Sequence, residues 1–123
     1  MVRDPSLRVM MMPRDTNAHG TIFGGRILSL IDQAGAITAH GAGAGKIVTV
    51  AIHEVVFKHP VHVGDIVSCY GTVVRRGRTS ITVEVRVVAQ HPQLRTEVEV
   101  TTAELVFVHV DGDMHPTALS AES

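Results

Sequence analysis

The sequence predicts an α+β domain, with one antiparallel sheet laid against one buried helix. Three observations predict it. Over residues 24–41, Ile27, Leu28, Leu30, Ile31, Ala34 and Ile37 cover most of a helical circumference, the pattern of a helix buried on several sides. After Gly45 the pattern changes to period two and keeps it through four long segments. Short connections join those segments, which favours antiparallel neighbours.

Taken in order, residues 7–12 (LRVMMM) read as a short strand closed by Pro13. PRDTNAHGTIFGG is rich in turn residues, carries Asp15, Asn17 and His19, and ends at two glycines, so it reads as a loop. The helix follows, and HGAGAG stops it, since three glycines within six residues cannot sustain a helix. Strands are predicted over 46–58, 66–76, 79–90 and 96–110. In the third of these, Ile81, Val83, Val85 and Val87 alternate strictly with polar residues. In the last, Val98, Val100, Val106, Val108 and Val110 share one phase. With no internal repeat and no linker, residues 1–123 read as a single domain with a core over about 7–110 and a polar tail over 111–123.

The length suffices to bury a core. Hydrophobic residues make up 45% and aromatic ones 3%, so the core must be aliphatic. A net charge of -1 gives no general electrostatic case for nucleic acid or a membrane surface. One cysteine, Cys69, excludes an intrachain disulfide and fits a reducing compartment. The N-terminal stretch lacks the apolar core of a signal peptide, and no apolar run is long enough to span a bilayer. The expectation is a soluble, cytoplasmic protein without membrane insertion.

Asp32 stands out inside the apolar helix, because a buried carboxylate is costly unless paired or hydrogen-bonded. It fits a solvent-facing stripe beside Ser29 and Gln33. It also fits a site, because its helical neighbours Leu28, Ser29, Gly35 and Ala36 are mostly small and leave room for a ligand or a partner helix. At the helix start, the amides of Gly24 and Gly25 have no intrahelical acceptor and lie at the positive end of the dipole. They can form an oxyanion hole, or simply open a helix in crowded packing. Gly24 and Asp32 are eight residues apart, roughly 12 Å along a helix. If both act on one substrate, they come from two chains, which points to a site at a dimer interface.

Together these stretches resemble a known family. PRDTNAHGTIFGGRILSLIDQAGAITA, followed by IVTVAIHEVVFKHPVHVGDIVSCYGTVVRRGRTSITVEVRV, is similar to the hotdog-fold acyl-CoA thioesterases. Within that family it is similar to the bacterial short-chain acyl-CoA thioesterases and the vertebrate brain-type cytosolic acyl-CoA hydrolases. The matching elements are the Asp15–Gly20 loop, Gly24-Gly25, Asp32 with Ala34-Gly35, IVTV, Phe57 before Pro60, Val63-Gly64-Asp65 and Gly77-Arg78-Thr79-Ser80, in this order over about residues 8–110. The resemblance implies a sheet wrapped round one central helix. It also implies that Asp32 is general base or nucleophile on the thioester carbonyl, that Asn17 of the partner subunit places substrate or water, and that the Gly24 or Gly25 amides polarise the carbonyl. Asp32 would have to be ionised, so its burial must be partial or offset by hydrogen bonds, and Thr49 is a candidate donor as well as an ordinary strand threonine.

The cluster RRGRTS reads either as a solvated hairpin or as a CoA-phosphate site, where arginine forks fit well. The resemblance supports the second reading for Gly77, Arg78, Thr79 and Ser80, with Arg75, Arg76 and Lys58 as further candidates. Eight histidines show neither the HExxH spacing nor a companion CxxC, so no metal site is expected. Hydrolysis would need no cofactor, CoA being part of the substrate. The expected assembly is a homodimer built into a tetramer or hexamer. Two other functions compete: a hydroxyacyl-thioester dehydratase, for which His19 would be the histidine, and a non-catalytic acyl-CoA-binding protein. The motif around His19 is not of the dehydratase kind, and the presence of Asp32 ranks the non-catalytic reading last, which leaves hydrolysis first.

Overall fold

The computed structural model describes residues 3–119. One long helix, α1 (Gly24–Gly41), packs against a five-stranded antiparallel sheet. The strands are β1 (Leu7–Met10), β2 (Ile47–His53), β3 (Ile66–Arg76), β4 (Ser80–Gln90) and β5 (Glu97–His109), in spatial order β1-β3-β4-β5-β2. A 3-10 turn at Pro13–Asp15 lies within the loop before the helix. Sheet wrapped on one central helix is the hotdog arrangement that the sequence predicts.

The helix packs on β3, β4 and β5. Its buried stripe is Ile27, Leu30, Ile31, Ala34, Gly35 and Ala39. Facing it are Ile81, Val83, Val85 and Val87 of β4 and Leu105 and Phe107 of β5. Two glycines set how closely helix and sheet approach. A methyl group on Gly71 of β3 would overlap the Thr38 hydroxyl, and one on Gly35 would lie 2.9 Å from the Phe107 ring.

Three differences from the sequence-based reading have physical causes. The strand predicted over 46–58 leaves the sheet after His53, where Glu54 takes a left-handed backbone conformation (φ 48). The alternation in EVVFK continues past that break, although those residues are no longer paired in a ladder. In β5 the phase slips: Val87 pairs with Thr101 and Val88 with Glu99, which leaves Val100 as an extra residue. The core-facing residues beyond the slip are therefore Ala103, Leu105 and Phe107, while Val106 and Val108 lie on the other face. Third, Ile37, counted with the apolar circumference, is 47% exposed.

After Val110 the chain turns back. Val110 pairs with Pro116, and the Leu119 amide donates to the Arg78 carbonyl at 2.8 Å.

Candidate active site

Asp32 lies beside the solvent stripe of α1, not on it. Ser29, Gln33 and Ile37 are the exposed row, whereas Asp32, Leu28 and Ala36 form a half-buried flank. The Thr49 hydroxyl donates to Asp32 Oδ1 at 2.6 Å. Among the described residues nothing binds Oδ2. Thr49 pairs in regular register with Phe107, whose ring packs on Gly35 of the helix, so it lies on the sheet face that α1 covers. The irregularity comes after it: Ala51 pairs with Val106, which leaves Val50 bulged. No motif separates a strand threonine on that face from any other, which is why Thr49 was ambiguous in the sequence.

This pair sits on an open edge. β2 ends the sheet, with Val50 55% and Ile52 37% exposed. A strand edge with exposed apolar residues is a template for pairing with another chain.

The second group of residues gathers at the start of α1. Phe23 is the N-cap residue and supplies no side-chain cap, so the Gly24 and Gly25 amides precede any intrahelical acceptor. The Phe23 amide donates to the Asp15 carbonyl at 2.7 Å, and Asp15 Oδ1 lies 3.1 Å from Arg26 Nε. This ties the loop to the first helical turn. Asn17 shapes that loop: its Oδ1 accepts from the His19 amide at 2.7 Å and its Nδ2 donates to the Thr21 hydroxyl at 2.9 Å. Beside Gly24 opens a cleft of about 200 Å³ lined by Ile22, Ile27, Phe57 and Val61, among others. The Phe57 ring lies 3.6 Å from where a Cβ on Gly24 would stand, so it forms the wall of the cleft next to the helix start. The sequence flagged Phe57 only as a matching residue, without a role.

The third group is the β3–β4 turn, closed by the Gly77 amide on the Ser80 carbonyl at 2.8 Å. Arg75 reaches within 3.9 Å of Glu104, and Arg76 donates to the Ala42 carbonyl at 3.0 Å, next to the C-terminal end of α1. Among the described residues the Arg78 guanidinium has no partner. Lys58 is held by Glu99 at 2.9 Å, and Arg86 lies on the same carboxylate at 3.0 Å. The Lys58 hydrogen bond first, and then that of Arg86, hold the Glu99 carboxyl below its ordinary range. The structure thus unites Asp32 with Thr49, and Gly24 and Gly25 with the Asn17 loop. The two groups remain apart within one chain, separated along the helix by roughly 12 Å.

Asp111, Asp113 and His115 come together at the surface. Their proximity follows from the turn itself, because Asp111 Oδ1 accepts from the amides of Asp113 (2.9 Å) and His115 (3.0 Å). Cys69 is fully buried, and burial pushes its thiol up to about 12.

A carboxylate midway along the central helix of a hotdog fold, with helix-start amides that have no acceptor among the described residues about two turns before it, defines a class of thioester-handling proteins. The chain belongs to the thioesterase superfamily, whose family model matches residues 19–96. It is 42% identical over 120 residues to the acyl-CoA thioester hydrolase YciA of Salmonella typhimurium, covering 94% of this chain and 90% of that protein. A hexameric hotdog fold thioesterase of Campylobacter jejuni superposes with a TM-score of 0.90 at 46% identity, over 96% of this chain and 91% of that one. A hexameric broad-specificity acyl-coenzyme A thioesterase, solved with one aspartate changed to alanine, gives 0.91 at 38% identity, over 97% and 88%.

Proposed function

We infer that the protein is an acyl-CoA thioester hydrolase in which Asp32 acts on the thioester carbonyl as general base or as nucleophile. The observation that carries this reading is the Thr49–Asp32 hydrogen bond of 2.6 Å on a half-buried flank of α1. The threonine holds one oxygen and leaves the other to face a water or a carbonyl carbon. As base, Asp32 takes a proton from water while the water oxygen attacks; as nucleophile, its own oxygen attacks and water later splits the anhydride. In both cases the carbonyl oxygen gains negative charge, which the Gly24 and Gly25 amides stabilise. Collapse then expels the CoA sulfur, which leaves as thiolate and takes up a proton. The reaction needs water, a carboxylate and amide donors, and no cofactor.

Each site is shared. One chain supplies Asp32 and Thr49, and its partner supplies the Asn17 loop with Gly24 and Gly25. The exposed edge of β2, next to Thr49, is where two copies meet. The protein works as a homo-oligomer, and the hexamers formed by its structural relatives make a hexamer built from three dimers the assembly we assign to it. Arg78 is the arginine left open for CoA phosphate, with Thr79 and Ser80 on the same turn. Arg75 and Lys58 are already engaged with carboxylates. The protein works in the cytoplasm, where its acyl-CoA substrate is found.

The test is release of free CoA from an acyl-CoA panel of graded chain length, followed with a thiol reagent. Asp32→Ala should lower turnover by on the order of 10²-fold or more while the protein stays folded. Turnover near that of the unmutated protein would overturn the assignment of Asp32.

A further inference from the structure

The segment after β5 does more than end the chain. Asp111 Oδ1 gathers the amides of Asp113 and His115, and the Asp111 amide donates to the His115 carbonyl at 2.9 Å, so the turn is tightly closed. The returning strand is then fixed by the Thr117 amide on the His109 carbonyl at 2.8 Å. The Leu119 side chain packs partly buried against the core, and its amide holds the Arg78 carbonyl. One residue on, the Thr79 carbonyl accepts from the His109 amide at 2.7 Å. Two consecutive carbonyls of the β3–β4 turn are therefore clamped from outside the hairpin, one by the end of β5 and one by the returning segment.

We propose that Asp111–Leu119 is a positioning strap that fixes the backbone of Arg78 and so aims its guanidinium at the phosphates of the CoA nucleotide. This rests on the reading of the β3–β4 turn as the phosphate site. Among the described residues Arg78 is the arginine of that turn whose guanidinium has no partner, and its own carbonyl and that of the next residue are the two that are clamped. A tight turn held on one side only would sample many arginine directions, and binding would have to order it. A turn held on both sides is ordered beforehand, which lowers the cost of binding. Leu119 is then a positioning residue that touches no substrate.

The test compares two substrates, an acyl-CoA and the same acyl group on pantetheine, which lacks the nucleotide. A chain ending at Thr117 loses residues 118–123 and with them the Leu119 clamp. Its KM for acyl-CoA should rise roughly fivefold, the effect of about one lost hydrogen bond, with kcat retained and pantetheine thioester turnover unchanged. Combined with Arg78→Ala, the truncation should add nothing further, because both act through one side chain. An unchanged KM, equal slowing of both substrates, or multiplying effects in the double variant would overturn the strap. If the shortened chain does not stay folded, Leu119→Pro in the full chain, which removes the amide donor, carries the same comparison, with Leu119→Met, which keeps it, as the conservative control. The phosphate reading fails separately: Arg78→Ala in the full chain would then leave the KM for acyl-CoA where it was.

Discussion

The Thr49 hydroxyl decides which oxygen of Asp32 is available, because its 2.6 Å hydrogen bond occupies Oδ1. Thr49→Val keeps a residue that strands favour and removes the donor alone. Loss of a hydrogen bond to a charged group should lower kcat by roughly tenfold or more with little change in KM. A kcat equal to that of the unmutated protein would show that the bond orients nothing that matters. Cys69 gives a second residue-scale expectation. Its thiol, ordinarily at 9.0, is raised to about 12 by burial. The native protein should therefore give no signal with a thiol reagent at mildly alkaline pH, and one equivalent per chain once unfolded. Because the folded value lies above the unfolded one, the stabilisation is complete below about 9 and is lost as pH rises towards about 12. A denaturation midpoint that held constant over that range would contradict this. Asp32 was legible in the sequence because a charge in an apolar helix asks for an explanation. Its donor was not, since only the pairing of Thr49 with Phe107 across the sheet shows which face the threonine takes.

At the scale of elements, helix and sheet meet through glycines. Gly71→Ala would place a methyl group against the Thr38 hydroxyl, which already donates to the Ala34 carbonyl at 2.9 Å and is not free to swing aside. We expect a loss of about 1–3 kcal/mol, read as a lower urea midpoint with an unchanged slope. Thr38→Ala should relieve part of this, since the Thr38 Cβ still stands 2.8 Å from the new methyl. A Gly71→Ala protein as stable as its parent would mean that the helix shifts away freely. The bounds of α1 and β3 were readable in advance because glycine pairs and short turns bracket them. The interior of β4 was readable too, since Ile81, Val83, Val85 and Val87 alternate without fault. The end of β2 and the phase of β5 were not. Alternation survives both the left-handed Glu54 and the extra residue at Val100, so a pattern of period two runs through each without a mark. The return of the chain to Arg78 was equally hidden: a polar stretch with Asp-Gly signals a turn, but not what the chain does after it.

For the whole molecule, the shared-site proposal divides the chain into two half-sites. Asp32 and Thr49 lie beside the open edge of β2, and the Asn17 loop with Gly24 and Gly25 lies eight residues up the helix. A symmetric dimer repeats each contact twice, so two copies complete two sites. Asp32→Ala and Asn17→Ala homodimers should each be nearly inactive, the second because the loop beside the helix start loses the bonds to His19 and Thr21. The decisive measurement is CoA release by the two variants after joint denaturation and refolding. A random mixture forms about half heterodimers, in which one site carries both lesions and the other neither, so activity should recover to roughly a quarter of that of the unmutated protein. If heterodimers form and the mixture is no more active than the average of the two variants alone, Asp32 and Asn17 serve the same site from one chain, and the shared site is wrong.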